Sequence, residues 1–365
     1  MRPIEKLHSL GQSIWYDNIE RRLLRNGELA ALINRGEIRG VTSNPSIFQK
    51  AIENSSDYDE SLLRLAKTGA NKAQIYETLA VEDIQAACDL FRPLYNETNG
   101  GDGYVSLEVS PYLAKDTNGT AIEAARLWAL VDRPNLMIKI PATKEGLPAI
   151  TRSIAAGINV NVTLIFAIPR YEEVMEAYLA GLEQRLAAGL AIEKIASVAS
   201  FFVSRIDSNV DRRLSAIGSP GALALQGKIA IANAKLAYAA HKQVFSGQRW
   251  EKIQAASGRL QRPLWASTST KNPAYPDTMY VDELIGPNTV NTVPPATLTD
   301  FMDHGTVALT LEAGLVAAQA AMDELAALGI SMAEVTQELE EQGVKAFADS
   351  FTSILDSVEE RRSAV

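Results

Sequence analysis

Short β-type segments recur along this chain, each followed by a longer stretch with helical periodicity, and no other feature constrains its folding as much. Eight such segments are readable: Ser13 to Asn18, Ile38 to Asn44, Tyr104 to Ser110, Asn135 to Pro141, Ile158 to Phe166, Ile195 to Ser204, Leu264 to Thr270 and Thr289 to Val293. Strands alternating with helical stretches are the pattern of parallel βα units. Eight units suit closure into a barrel, and no GxGxxG follows the first strand to support a dinucleotide-binding open sheet. The expected fold is therefore α/β, a single (β/α)8 TIM barrel spanning residues 1–365 as one domain. At 365 residues the chain exceeds an average domain, but barrels with insertions commonly reach this size.

Two stretches exceed what the barrel needs. Between the second and third strands lies a helical insertion, about residues 50–100 by periodicity, with an amphipathic run from Asn71 to Phe91 that places Ile75, Leu79 and Leu90 on one face. The tail, about 305–360 on the same reasoning, is expected to be one or two helices ending in a charged, frayed Glu359-Glu360-Arg361-Arg362. Lys228, Lys235 and Lys242 recur at heptad spacing and read as a solvated helix face.

Composition narrows the function classes. With 47% hydrophobic and 22% charged residues the chain can build a sizeable core. A net charge of -9 without a clustered basic face argues against nucleic acid. No apolar run is long enough to span a membrane, and Met1 to Ile19 lacks the apolar core of a signal peptide. Cys88, the single cysteine, allows no intrachain disulfide and reads as a small buried filler. The expected compartment is cytoplasmic. His8, His241 and His304 are far apart with no ligand spacing, so neither a metal nor another cofactor is expected. Monomer and homodimer are both open.

Strand parity then points to chemistry. Parallel barrel strands are covered on both faces, so a polar alternate row needs explanation. Ser106, Glu108 and Ser110 oppose Leu107 and Val109; Lys139 opposes Ile138 and Ile140; Asn159, Asn161 and Thr163 oppose Val160, Val162 and Leu164; Ser267 and Ser269 oppose Ala266 and Thr268. A structural salt bridge between Lys139 and Glu108 is the plain reading of one such pair. Clustering of polar positions at the C-terminal ends of neighbouring strands favours an active site. A lysine in a mostly apolar wall loses charge stabilisation and becomes a nucleophile toward carbonyl carbon. Glu108 working through a water that Thr163 positions suits the proton transfers of Schiff-base chemistry.

The segments GVTSNPSIF (Gly40 to Phe48), SLEVSP (Ser106 to Pro111), IKIPAT (Ile138 to Thr143), INVNVTLIF (Ile158 to Phe166) and SFFVSRID (Ser200 to Asp207) resemble the transaldolase family, in its order and at the expected strand ends. The likeness runs from Asp17 to about Pro295, and the long insertion resembles the family's longer bacterial branch. The resemblance implies a Schiff base on Lys139, with Glu108 and Thr163 acting through a catalytic water and Asp17 as general acid/base for C3–C4 cleavage. It implies that Asn44, Asn161 and Ser200 hold hydroxyls of a dihydroxyacetone unit. Arg205 matches the phosphate-binding arginine, helped by Ser269 and Lys271, where the better-known branch carries arginine. The implied partners are small sugar phosphates and the implied reaction is transfer of the three-carbon unit between them. Amides and hydroxyls suit a polyol and an arginine fork suits phosphate.

Two rivals remain. A fructose 6-phosphate aldolase shares the barrel and lysine, but that group typically has glutamine in place of Glu108 and tyrosine in place of Phe202. A non-catalytic sugar-phosphate-binding barrel would not need Asp17, Glu108, Lys139 and Thr163 together. Among other cations, Lys144 sits in a loop with Gly146 and Pro148 and is a poor second nucleophile. Lys50 and Lys115 read as surface charges in loops, with steering of anionic substrate as their second role. Phe201 reads as core, whereas Phe202 shares the parity of Ser200.

Overall fold

A computed structural model describes residues 2–363. Its parallel strands are β1 (Gln12–Tyr16), β2 (Gly40–Val41), β3 (Tyr104–Glu108), β4 (Leu136–Pro141), β5 (Val160–Ile165), β6 (Ser197–Phe202), β7 (Arg262–Ala266) and β8 (Thr289–Val293). They pair in chain order and β8 returns to β1, closing the barrel that the alternating pattern predicts. Each strand overlaps the segment read for it. The helices between them lie outside, so outward strand residues such as Ile14, Ile138, Val160 and Val162 are buried.

Strand ends depart from the sequence reading for local reasons. β2 is only two residues long, because the chain turns at once into the helix Pro45–Glu53. Asn44 Oδ1 accepts the Ile47 N–H at 3.0 Å and Pro45 takes the first helical position, a strong start signal. Gly40 is required where β2 crosses the Trp15 indole: a Cβ there would lie 2.6 Å from the ring. β7 stops at Ala266 because Ser267 adopts φ 56°, so the expected two faces beyond Ala266 do not exist. Leu164 in β5 has φ 60° within a register shift between Val162 and Ile165. That bulge removes it from the outward row, and a Cβ at Gly343 would lie 2.9 Å from Leu164 Cδ2.

The insertion forms Asp59–Lys67 and Lys72–Glu97 after the helix from Pro45. Asn71 and Gln74 cap the longer helix reciprocally, and Ile75 and Leu79 are buried beneath it while Leu90 is half-buried. Arg21, 1% exposed, ties it to the barrel: Nε donates to Asp83 at 2.8 Å, and Nη2 to the Leu79 carbonyl at 3.1 Å and to Glu82 at 3.0 Å. Buried charges are tolerated where every donor finds such a partner.

The tail comprises the helices Leu315–Ala327 and Met332–Ser363. The second reaches across the barrel at the C-terminal strand ends, bringing Gly343 to Leu164 and Phe347 to Lys139. Its end is tied down rather than frayed: Arg361 donates to the Ser55 and Glu53 carbonyls at 3.3 and 3.2 Å and pairs with Asp59. Lys235 is likewise not on a solvated face. It is 8% exposed, with Nζ 3.4 Å from Glu283 and 3.2 Å from the Ala313 carbonyl, because the chain leading into the Leu315 helix lies over it. Lys228 and Lys242 are exposed as expected, and Cys88 is buried. No single helix among the described residues is long and apolar enough to cross a membrane.

Candidate active site

The C-terminal strand ends surround a cavity of about 290 Å³, near the lower end of the range for small-molecule sites. Asp17, Asn44, Lys139, Ser200, Arg205, Ser269 and Lys271 all border it, as do Thr42, Lys50, Phe202, Thr292 and Phe347. Residues predicted from separate parts of the sequence are thus brought together at the end where barrel enzymes do their chemistry.

Register explains the centre. Glu108 pairs with Lys139 across β3 and β4, and Lys139 with Asn161 across β4 and β5, so the three side chains form one row inside the barrel. Lys139 is 4% exposed. Its Nζ donates to the Ser43 carbonyl at 3.1 Å, lies 3.7 Å from Glu108 Oε2 and stands 5.7 Å from the Phe347 ring centre. Burial pushes the Glu108 carboxyl up to about 7, against the opposing pull of the Lys139 ammonium. Glu108 Oε2 and the buried Thr163 hydroxyl have no hydrogen-bond partner among the described residues. Buried polar atoms left in that way mark a place where another polar group belongs.

Asp17 follows β1, its N–H held by the Val293 carbonyl at 2.8 Å and its Oδ1 accepting from the Thr42 hydroxyl at 2.6 Å. Burial raises its pKa, while Lys139 and the Thr42 hydroxyl pull the other way. Glu108, Thr163 and Asn161 do not border this cavity, and Glu108 faces a neighbouring one lined by Ser43, Asn44, Tyr76 and Phe351. Asn161 acts from beneath: its Oδ1 accepts the Ser200 hydroxyl at 2.7 Å and its Nδ2 donates to Ser106 at 3.0 Å, so it orients Ser200.

On the far wall, Arg205 lies in the first turn of the helix Ser204–Ile217, its guanidinium 5.2 Å from the Phe202 ring centre. Phe202 faces the cavity, as its parity with Ser200 predicts. Among the described residues Arg205 makes no ion pair or hydrogen bond of its own. Burial lowers its pKa, opposed by Asp17. Lys271 donates to Ser269 Oγ at 2.7 Å. Its pKa is lowered by burial and by the charges of Arg205 and Lys50. Lys50 is in the helix from Pro45, not in a loop, and borders the cavity. Four cations around one small cavity in a chain of net charge -9 make this a local trap for a small anion.

Lys144 and Lys115 are exposed and border none of this. His304 ends the helix Pro295–His304 and pairs with Asp277 at 2.8 Å. Sequence reading missed Thr42, Thr292 and Phe347 as site residues. Thr42 lies inside the GVTSNPSIF segment, two residues before Asn44. Thr292 borders the cavity with its hydroxyl 2.6 Å from that of Thr42. Phe347 had no sequence signal, since only the path of the last helix brings it to Lys139. Among the described residues no group of three or more His, Cys, Asp or Glu side chains is placed to hold a metal.

A parallel (β/α)8 barrel that gathers a buried lysine–glutamate pair and, among the described residues, an arginine without a partner at its C-terminal strand ends has the architecture of a barrel enzyme. A family model described as transaldolase/fructose-6-phosphate aldolase matches residues 14–358. The chain is 53% identical to a transaldolase of Parafrankia sp. over 99% of its own length and 98% of that protein. It is 52% identical to a transaldolase of Thermobifida fusca, covering 99% of each, and 51% identical to transaldolase 1 of Streptomyces avermitilis, covering 97% and 94%. The chain belongs to the transaldolase/fructose-6-phosphate aldolase family, and these full-length relatives put it among the transaldolase enzymes.

Proposed function

We propose that this enzyme moves a dihydroxyacetone unit from a ketose phosphate, sedoheptulose 7-phosphate or fructose 6-phosphate, to an aldose phosphate, glyceraldehyde 3-phosphate or erythrose 4-phosphate. The step is that of the non-oxidative pentose phosphate pathway, in the cytoplasm. The observation that carries this reading is the buried pair of Lys139 and Glu108, 3.7 Å apart on adjacent strands.

Lys139 passes a proton to Glu108 through a shared water, and its amine adds to the C2 carbonyl of the ketose. Glu108, its proton affinity raised by burial, protonates the departing hydroxyl through a water held with Thr163, and an iminium forms. Asp17 takes the C4 hydroxyl proton; the C3–C4 bond breaks, the aldose leaves, and the bonding pair enters the iminium to give an enamine on Lys139. The acceptor aldehyde adds to that enamine by the same steps in reverse, and hydrolysis frees the lysine. Asn44 and Ser200, the latter fixed by Asn161, hold the hydroxyls of the retained unit. Arg205, Lys271 and Ser269 take the phosphate.

Glu108 and Phe202 favour transfer over the aldolase reading, in which dihydroxyacetone is released to water. A two-arm experiment tests both levels. Borohydride added with fructose 6-phosphate should attach the three-carbon fragment to Lys139; label on Lys144, or none, sinks the mechanism. Dihydroxyacetone accumulating equally with and without erythrose 4-phosphate would turn the assignment to an aldolase.

A further inference from the structure

Lys271 and Ser269 stand on the segment between β7 and the short helix Met279–Asp282, which contains no strand or helix of its own. Arg205 stands on the helix Ser204–Ile217. Two like charges on separate segments repel each other, and the Arg205 charge already lowers the Lys271 pKa. Their spacing must therefore be held by contacts elsewhere.

The segment is pinned at both ends. At its start the Thr268 hydroxyl donates to Asn291 Oδ1 at 2.8 Å and is 3.1 Å from the Thr292 carbonyl, both on β8. Beyond Lys271 the chain turns at Asn272, whose Oδ1 accepts the Ala274 N–H at 3.0 Å and whose carbonyl accepts the Tyr275 N–H at 3.1 Å. The Tyr275 hydroxyl then donates to Asp211 Oδ2 at 2.6 Å. Asp211 is on the helix Ser204–Ile217, which also carries Arg205. Its other oxygen accepts the Gly227 N–H at 3.1 Å. Gly227 adopts φ +70° beneath the tyrosine ring, and a Cβ there would lie 2.8 Å from Cζ. Ring and hydroxyl are both fixed. One turn earlier on the same helix, Asp207 accepts the Ala230 N–H and the Tyr280 hydroxyl, each at 2.8 Å, anchoring the segment that follows.

We propose that the Tyr275–Asp211 hydrogen bond is a latch that sets the spacing of Lys271 and Ser269 from Arg205, making Tyr275 and Asp211 positioning residues for the substrate phosphate. The inference rests on the reading of Arg205 and Lys271 as the phosphate clamp. Neither Tyr275 nor Asp211 borders the cavity, so the latch acts only through the segment it holds.

The test compares fructose 6-phosphate with unphosphorylated fructose as donor to erythrose 4-phosphate. Tyr275→Phe should raise KM for fructose 6-phosphate by about five- to tenfold, the scale of one lost hydrogen bond, with kcat changed less than about twofold on the same basis. Turnover of fructose should be unchanged, a result that general damage to the fold would not give. Asp211→Ala should reproduce the pattern. In a Lys271→Ala background the Tyr275→Phe change should add nothing, because its effect runs through that lysine. An unchanged KM in Tyr275→Phe, or equal impairment with fructose, overturns the latch. If Arg205→Ala and Lys271→Ala themselves leave KM for the phosphorylated donor unaltered, the phosphate reading fails instead.

Discussion

At the residue scale, burial decides what each side chain can do. Glu108 is a carboxyl whose pKa stands at about 7, because few polar groups replace the water it lost and only Lys139 favours its charge. It carries a proton as pH falls through 7 and loses it as pH rises, so it can both give and take protons near neutrality. Schiff-base formation with fructose 6-phosphate, followed by borohydride trapping, should show an ionisation near pH 7 that is absent in Glu108→Gln. That variant should be slowed by about 10²- to 10⁴-fold, the usual worth of a positioned acid. A pH profile unchanged by the substitution would remove Glu108 from the proton transfers. Alternation placed Lys139, Glu108 and Thr163 on the inner row because period two is a local property of extended chain. It did not reveal that Asn161 uses its amide on Ser200 and Ser106, since hydrogen-bond partners on other strands depend on register.

At the element scale, strands and helices were largely legible, and the exceptions occur where one backbone residue breaks the period. Left-handed Leu164 and Ser267 end the alternation in β5 and β7, and neither residue type announces that conformation, which is costly for side chains other than glycine and asparagine. In β5 the break turns Leu164 toward the last helix, where Gly343 leaves room for it. A Cβ at Gly343 would also lie 3.7 Å from Arg205 Nη1. Gly343→Val should drive branched atoms into Leu164 and Arg205 and cost about 1–3 kcal/mol, as overpacking does. Urea unfolding measures the loss, and the same variant should weaken fructose 6-phosphate binding. Stability and KM both equal to the parent would mean the helix is free to shift. The lysines at 228, 235 and 242 mark the limit of helix-face reasoning: period placed them together, but only the later segment around Ala313 buried Lys235.

At the scale of the whole molecule, the barrel separates chemistry from stability along its axis. At the N-terminal strand ends the Asp102 carboxylate accepts from Ser13 at 2.7 Å, Trp15 at 3.1 Å, Arg39 at 2.8 Å and Arg262 at 3.2 Å. Arg262, Arg39 and these hydrogen bonds hold its pKa below the usual carboxylate range despite burial. A depressed carboxylate stabilises the fold fully above its unfolded pKa, and that contribution is lost as pH falls through the folded value. Asp102→Ala should therefore cost about 3 kcal/mol at neutral pH, the lower end for breaking a buried pair because both arginines are partly exposed. The deficit should shrink in acid, while trapping at Lys139 at neutral pH should be unaffected. Equal stability of parent and variant at pH 7, or lost trapping in a folded variant, would contradict this division.

The sequence by itself determined the βα order, the barrel class and the polar inner row with Lys139 at its centre, because alternation, helix starts and strand length are written in near neighbours. Family resemblance added Asp17, Asn44 and Arg205 to the site expected around that row. Tertiary structure alone decided that Lys50 and Phe347 border the site, that Asn161 stands beneath it, and that Tyr275 ties the Lys271 segment to the Arg205 helix. Those relations join residues far apart in the chain, and they exist only once strand register and the path of the last helix bring them within a few ångströms.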